Sequence, residues 1–328
     1  LRSSDSMSTI IDTYNDVVMP SISIIPFRNK GNQDDEFYSY SISSDIHSKL
    51  SATSNIIISS IEDVENYLAV DNSSKKVSKK LNTRYCLSGS LWKNKKEFNL
   101  TIELYDNNKD KIIWVDSWLE DWENLSVIES KISENIIKIL DQDSFRKLEN
   151  EESVVSSEAY KIYLKAKYLY HKKRNEDDAA IAESFFKQSI KIDPKLIQPR
   201  LLLGNIEFNR GDYDKALSMF ENTLEMSITN KDDKNISASL SWIGKVYFQK
   251  GKYEKSLEYN SEALKIRKKI NNKKGMADSF NSIGAIHDLA RNYSKALKFY
   301  QQALTIRENI NDKGGIAMSM INIANLHN

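Results

Sequence analysis

The side chains that could do chemistry in this 328-residue sequence are few and far apart. Asp34, Asp35 and Glu36 form an acidic cluster, and carboxylate oxygens are the ligands that a hard divalent cation prefers. No paired ligand accompanies the cluster, so a solvated turn is the stronger interpretation. The histidines have no spacing typical of a zinc site; they are His47, His171, His287 and His327.

Nucleophiles are equally sparse. Cys86 lies in an apolar, strand-like run, which favours a buried inert thiol over a reactive one. Ser88 and Ser90 lack the glycine pattern of a nucleophile elbow, and no glycine-rich phosphate loop is present. We therefore expect this chain to be no enzyme and to use no cofactor and no metal.

Charge and hydropathy argue against a nucleic-acid-binding protein and against a membrane-spanning one. The 47 basic and 46 acidic residues nearly cancel, so no overall field attracts nucleic acid or an anionic membrane. No apolar run approaches the roughly 18–20 residues that span a bilayer. A single cysteine allows a reducing compartment. We expect a cytoplasmic chain, or a periplasmic one if a membrane span lies upstream.

Because the sequence starts at Leu1 and its last repeat stops at Asn328, we interpret the chain as a fragment of a longer protein.

The second half repeats itself every 40 residues. The repeated positions are Gly204, Gly244, Gly284 and Ala324; Tyr213, Tyr253 and Tyr293; and Leu217, Leu257 and Leu297. Apolar residues within each unit follow helical spacing, interrupted near Gly251. The pattern predicts stacked helical hairpins that cross at the glycines, with Ala216, Ser256 and Ala296 facing them.

These units resemble the tetratricopeptide repeat. Gly244, Tyr247, Ser256 and Ala263 fill its pattern, and Asn260, Glu207 and His287 depart from it where an aromatic residue is usual. The resemblance implies an all-α superhelix over 157–328, with about four repeats and one truncated helix. It also implies that the 40-residue step lengthens the second helix, and that the concave face binds a protein or peptide.

By family position, the concave face carries the candidate partner-binding residues, which are Gln198, Asn205, Asn209, Trp242, Lys245, Gln249, Asn281, Asp288, Asn322 and Asn325. Side-chain amides can bond the backbone of an extended peptide whatever its sequence. Two alternatives stay open: polar residues on a solvated helix face need no ligand, and Trp242 could pack between units. We interpret the basic run Lys265, Arg267, Lys268 and Lys269 as a solubilising face.

The first half predicts a mixed α/β domain over 20–142, between linkers at 1–19 and 143–156. Strands are expected at "SISIIPF", "NIIISS", "RYCLSGSLW", "EFNLTIELYD" and "KIIWVDSWLED", and helices at 36–50, "SSKKVSKKLN" and "SVIESKISENIIKIL". Trp114, Trp118 and Trp122 share one face of the last strand, as a core stripe would.

This domain resembles the TolB-like amino-terminal domain, on "SISIIPF", "FYSYSISSDIHSKLS", "TRYCLSGSLWK" and "FNLTIELYDNNKDKIIWVDSW". The resemblance implies a sensing or relay module of bacterial signalling proteins, without a catalytic group. The expected fold class is thus an α+β two-domain chain. Its expected function is a signalling scaffold that binds a partner through the repeats. Alternatives are the regulatory region of a class III adenylate or guanylate cyclase with its catalytic domain upstream, and an envelope assembly protein. A homodimer is left open.

Overall fold

The computed structural model describes residues 19–53, 56–70, 73–94, 97–121, 124–140, 156–172 and 176–326. The linkers expected at 1–19 and 143–156 lie almost wholly outside these residues, as do Trp122 and His327.

The amino-terminal part contains a six-stranded mixed sheet. Its strands are β1 (Ser21–Ile24), β2 (Arg28–Asn29), β3 (Ile57–Ile58), β4 (Tyr85–Lys93), β5 (Glu97–Asp106) and β6 (Lys111–Asp121). The order is β3-β1-β4-β5-β6, with β2 also beside β4; β1 runs parallel to β3 and β4, whereas β4, β5 and β6 are antiparallel. The turn after β5 forms because Asp106 Oδ1 accepts from the backbone N–H groups of Asn108 and Lys109.

Helices cover both faces of this sheet. They are α1 (Glu36–Thr53), which follows a 3₁₀ turn at Gln33–Asp35, α2 (Ile61–Leu68), α3 (Ser74–Lys80) and α4 (Leu125–Leu140). Ile42 and Ile46 of α1 and Ile132 of α4 are fully buried in the core on one face. On the other, Val64 of α2 and Val77 of α3 enclose a smaller cluster. The sequence did not predict α2, which Ser60 caps by accepting from the Asp63 N–H.

The remaining helices form a run of antiparallel pairs. They are α5 (Ser157–Lys172), α6 (Glu176–Ile192), α7 (Gln198–Arg210), α8 (Tyr213–Thr229), α9 (Asp233–Gln249), α10 (Tyr253–Lys269), α11 (Lys273–Leu289), α12 (Tyr293–Asn309) and α13 (Lys313–Asn325). The expected fold class, a mixed α/β region followed by an all-α superhelix, is confirmed. Both helices of the central unit, α9 and α10, have 17 residues, so the 40-residue step is not carried by the second helix alone.

The two helices of each unit approach closely at the repeated glycines. A Cβ atom built on Gly204 would lie 2.5 Å from the nearest ring atom of the side chain that covers it. The covering pairs are Gly204 with Phe220, Gly244 with Asn260 and Gly284 with Tyr300. Each covering residue comes four positions after the small residue, Ala216, Ser256 or Ala296, that the sequence placed there.

The sheet region and the first repeat share one hydrophobic core. Tyr163 and Leu164 of α5 belong to the same buried cluster as Ile42 and Ile46 of α1. The Ser41 hydroxyl donates to the Leu164 carbonyl oxygen at 2.8 Å. The α1 helix also contacts α11. The α/β region therefore packs directly against the helical array.

Candidate functional site

All ten candidate partner-binding residues lie on the first helices of the repeats, α7, α9, α11 and α13. These helices begin in the same way where the sequence provides a cap. Asp232, Asn272 and Asp312 each accept a hydrogen bond from the backbone N–H three residues later. The shared start sets the same register for each first helix and aligns their side chains from unit to unit.

Several candidate amides are bonded to one another. Asn205 Oδ1 accepts from the Tyr170 hydroxyl at 3.0 Å and from Asn209 Nδ2 at 2.9 Å. Asn322 Nδ2 donates to Asn281 Oδ1 at 2.8 Å, across the boundary between two units. These bonds fix the orientation of the amides, because each oxygen already faces a donor.

Trp242 is half-buried and packs between units. Its ring stacks on Phe220, with centroids 5.4 Å apart and an interplanar angle of 9°, and meets Phe208 edge-on at 5.6 Å. The Lys245 ammonium lies 4.1 Å from the Trp242 ring centroid. The indole therefore joins α9 to the preceding unit, whereas its role as a partner anchor stays a prediction.

The other candidates are more dispersed. Gln198 at the start of α7 and Asn325 at the end of α13 are exposed. Asp288 bonds the Tyr300 hydroxyl, and burial together with this carboxylate raises the pKa of Tyr300 to about 12. Asp288 therefore already has a partner within its own unit.

Three candidates line one cavity of about 250 Å³ between α9, α10 and α11, which we call the Asn260 cavity. Its walls are Phe208, Lys245, Phe248, Gln249, Ser256, Asn260, Asn281, Ser282 and Ala285. The sequence predicted Lys245, Gln249 and Asn281 as partner-binding residues and missed the rest. A signal was present, since Asn260 replaces the aromatic residue usual at its position.

Lys245 supplies the charge beside this cavity. Among the described residues its ammonium forms no ion pair and lies over Trp242 instead. Burial lowers the pKa of Lys245, and the carboxylate of Asp278 partly opposes that shift. A half-buried cation without an ion-pair partner favours an acceptor or an anionic group on a bound molecule.

Buried arginines join successive units. Arg307 Nη1 donates to the Gly315 carbonyl at 3.0 Å and to Ser319 Oγ at 2.8 Å, and its Nη2 lies 3.0 Å from Asp278 Oδ1. Arg267 makes the same first two contacts one unit earlier, to Gly275 and Ser279. The sequence interpretation of Arg267 as part of a solubilising face is wrong. Its 40-residue step to Arg307 was the available signal.

A buried polar cluster lies at the junction of α1, α4 and α5. Lys167 pairs with Asp45, and the Tyr160 hydroxyl lies 2.7 Å from Asp45 Oδ2 and also contacts Glu129 Oε2. Burial raises the pKa of Glu129 to about 8. Burial alone would raise the pKa of Asp45, but Lys167 and Tyr160 outweigh it and hold that pKa below its ordinary value.

The number of protons in the cluster is consistent with a protonated Glu129 and an ionised Asp45. A phenol has one proton, so Tyr160 can donate to only one of its two carboxyl neighbours. With Asp45 ionised, Tyr160 donates to Asp45 and a protonated Glu129 donates to the Tyr160 oxygen. The cluster is a structural contact between the sheet region and the array.

The other chemistry-bearing residues are held in local contacts. Asp35 pairs with Lys93 at 2.5 Å, and burial raises the pKa of the Cys86 thiol. Within the described ranges, no three His, Cys, Asp or Glu side chains group as metal ligands would. The described helices include none that is both long and apolar enough to cross a membrane.

Comparisons with known proteins point to the repeats. The family model described as tetratricopeptide repeat matches residues 197–269 and 235–309. No curated protein matches the chain. Among solved structures, BtubC (BKLC) from P. vanneervenii is 18% identical, with a TM-score of 0.45, over 62% of this chain and 82% of that one. The tetratricopeptide domain of Arabidopsis FLU is 23% identical, with a TM-score of 0.33, over 34% of this chain and 94% of that one. By the family match, residues 197–309 contain tetratricopeptide repeats, a module typical of protein interaction.

Proposed function

We propose that this chain is a non-catalytic scaffold that binds an extended segment of a partner protein along the first helices of its repeats. The observation that carries the proposal is the Asn260 cavity, because side chains of three successive first helices, α7, α9 and α11, line it together. A segment that lies across these helices would contact several units at once.

The polar groups of this face suit a peptide backbone. An extended segment presents alternating N–H and C=O groups, and an amide side chain can serve both. The amides of Asn205 and Asn281 are oriented by neighbours before any partner arrives. Binding therefore costs less side-chain entropy than it would on a mobile surface.

We infer a relay role for the α/β region, which we regard as TolB-like. The stretches that carry this resemblance form one sheet with its covering helix α1, and α1 packs on α5 of the array. A ligand or partner of the α/β region would thus act on a surface continuous with the repeats. A regulatory role toward a separate catalytic domain stays a prediction.

Selection from a random peptide library tests the binding role. The chain is immobilised, and enriched peptides are measured by fluorescence polarisation against the wild type and two variants, Lys245→Ala and Asn281→Ala. We expect both variants to weaken binding about tenfold, as loss of a direct contact in a buried site does. Lys298→Ala, at an exposed position of the second helix α12, is the matched control. Absence of enrichment, or equal loss in the control, contradicts the proposal.

A further inference from the structure

The connections of the sheet change side at strand β1. After β1 and the short β2, the chain passes through α1 to reach β3 on one side of β1, and then through α2 and α3 to reach β4 on the other side. Because α1 covers one face of the sheet and α2 and α3 cover the opposite face, the two crossovers diverge between β1 and β4. In α/β sheets, ligands bind outside the carboxyl ends of the strands at such a point.

A cavity of about 800 Å³ lies at this point, and we call it the β4 cavity. It is lined by Ile25 and Pro26, which directly follow β1, and by Ser88, Gly89 and Ser90 of β4. The other walls come mainly from β2, β5, β6 and the start of α3. Its volume falls within the roughly 300–1,000 Å³ of small-molecule sites. The cavity is therefore large enough for a whole metabolite.

The sheet face beneath the β4 cavity changes from apolar to polar along β4. Cys86 belongs to the apolar cluster that α2 and α3 cover. Side chains alternate along a strand, so Ser88 and Ser90 lie on the same face as Cys86. Ser90 is in register with Arg28 of β2 on one side and with Thr101 of β5 on the other. A row of one guanidinium and two hydroxyls, all hydrogen-bond donors, thus crosses the cavity floor.

The charged residues of the β4 cavity are mostly cationic. Arg28 of β2 and Lys30, which follows this strand, both line it. Lys75 of α3 pairs with Asp110 at 2.6 Å, so these two charges offset each other. Among the described residues, Glu103 is the one acid of the lining, which leaves an excess of positive charge. An anionic ligand complements that charge.

We propose that the β4 cavity binds a small phosphate-bearing molecule. The phosphoryl group lies against the row of Arg28, Ser90 and Thr101, and the rest of the molecule lies on the apolar wall that Ile25 and Ile112 provide. A guanidinium binds two phosphate oxygens at once, in a charge-assisted pair. The inference goes beyond the proposed function, because no peptide takes part in it.

The width of the donor row favours phosphate over carboxylate. Neighbouring strands are about 4.8 Å apart, so the row from β2 across β4 to β5 is about 10 Å wide. A tetrahedral phosphoryl group presents three free oxygens in different directions and can accept from donors spread over several strands. A planar carboxylate presents two oxygens in one plane and suits a single guanidinium.

Ligand-observed NMR on the full chain tests this assignment with three probes. The probes are phenyl phosphate, benzoate and benzyl alcohol, which share a phenyl ring and differ in the polar group. We expect phenyl phosphate to bind about tenfold more tightly than benzoate, and benzyl alcohol to bind most weakly. Absence of phenyl phosphate binding, or equal affinity for phenyl phosphate and either other probe, overturns the proposal.

Substitutions locate the binding in the β4 cavity. Arg28→Gln should weaken phenyl phosphate binding about tenfold, because it removes a charged hydrogen-bond donor. Lys131→Gln is the matched control, since Lys131 is exposed on α4, which covers the opposite face of the sheet. Equal weakening by Arg28→Gln and Lys131→Gln would show a nonspecific charge effect and overturn the proposal.

An occluding substitution gives a second test. Ser88→Phe should abolish binding of all three probes, because its ring fills the cavity from the floor. Its melting temperature should stay close to that of the wild type, since the ring enters open space. If Ser88→Phe does not fold, Ser90→Leu narrows the same cavity. Phenyl phosphate binding that survives the folded occluding variant contradicts the site. The peptide selection is carried out without phosphate, so either role can fail without the other.

Discussion

Replacing Glu129 by glutamine should remove a specific pH dependence from the stability of this protein. Burial raises the pKa of Glu129 to about 8 from the ordinary 4.5, so the folded chain keeps a proton that the unfolded chain has lost. The free energy of unfolding then falls as the pH rises from 4.5 and levels off above about 8. Glutamine is always neutral and can donate to the Tyr160 oxygen, as the protonated carboxyl does.

The size of the effect depends on the pH window. At 1.36 kcal/mol per pH unit, the interval between 4.5 and about 8 corresponds to at most about 5 kcal/mol. Below pH 6.5, however, His47 and His171 act in the opposite direction, because burial lowers the pKa of each to about 4 from 6.5. Their contribution to stability increases with pH up to 6.5. The informative window is therefore pH 6.5 to 8, where Glu129 accounts for at most about 2 kcal/mol.

The assay is guanidinium unfolding at several pH values, followed by circular dichroism and by tryptophan fluorescence. We expect the stability of Glu129→Gln relative to wild type to increase by about 2 kcal/mol between pH 6.5 and 8. Glu134→Gln, at an exposed position of the same helix, should show no such trend. Parallel pH profiles for wild type and Glu129→Gln would refute the assignment of the proton to Glu129.

Three further substitutions test the packing of the repeats. Gly204→Ala should lower the free energy of unfolding by about 1–3 kcal/mol, because the new methyl group meets the Phe220 ring. Gly314→Ala should raise it by about 0.5–1 kcal/mol, since no atom lies within 4 Å of the new methyl. If both alanines changed the free energy of unfolding in the same direction, the close helix crossing at Gly204 would be contradicted. Arg307→Ala should lower it by about 3 kcal/mol, because it removes the buried hydrogen bonds from Arg307 to Gly315 and Ser319. A loss of stability as small as that of Lys298→Ala would show that these bonds do not hold the two units together.

Local sequence determined the parts of this fold that depend on periodicity. The 40-residue step predicted the helical hairpins, and the run "EFNLTIELYD" predicted strand β5. The α2 helix was missed because its eight residues provide little more than two turns of pattern. Of its signals, the Ser60 cap was recognisable in advance.

Contacts between distant segments could not be predicted in the same way. Asp45 and Lys167 are 122 positions apart, and neither segment alone indicates that the other lies beside it. Arg267 was assigned to solvent because its neighbours Lys265 and Lys268 are basic, whereas helix rotation turns it inward toward Ser279. In the candidate site, family position indicated Lys245 and Asn281, but the cavity between them depends on α10, which carries none of the predicted residues.

The joint between α1 and α5 restricts how this architecture can lengthen during evolution. Ser41, Asp45 and Glu129 each have a partner in the first helix of the array, α5. A duplicated 40-residue block placed directly before α5 would present a different helix surface to these residues. The buried charge of Asp45 would then lose its partner Lys167. Duplications inserted after α11, beyond the array helices that α1 contacts, meet no such obstacle, since each new hairpin needs only its two neighbours. Descendants with more units should therefore have gained them downstream of α11.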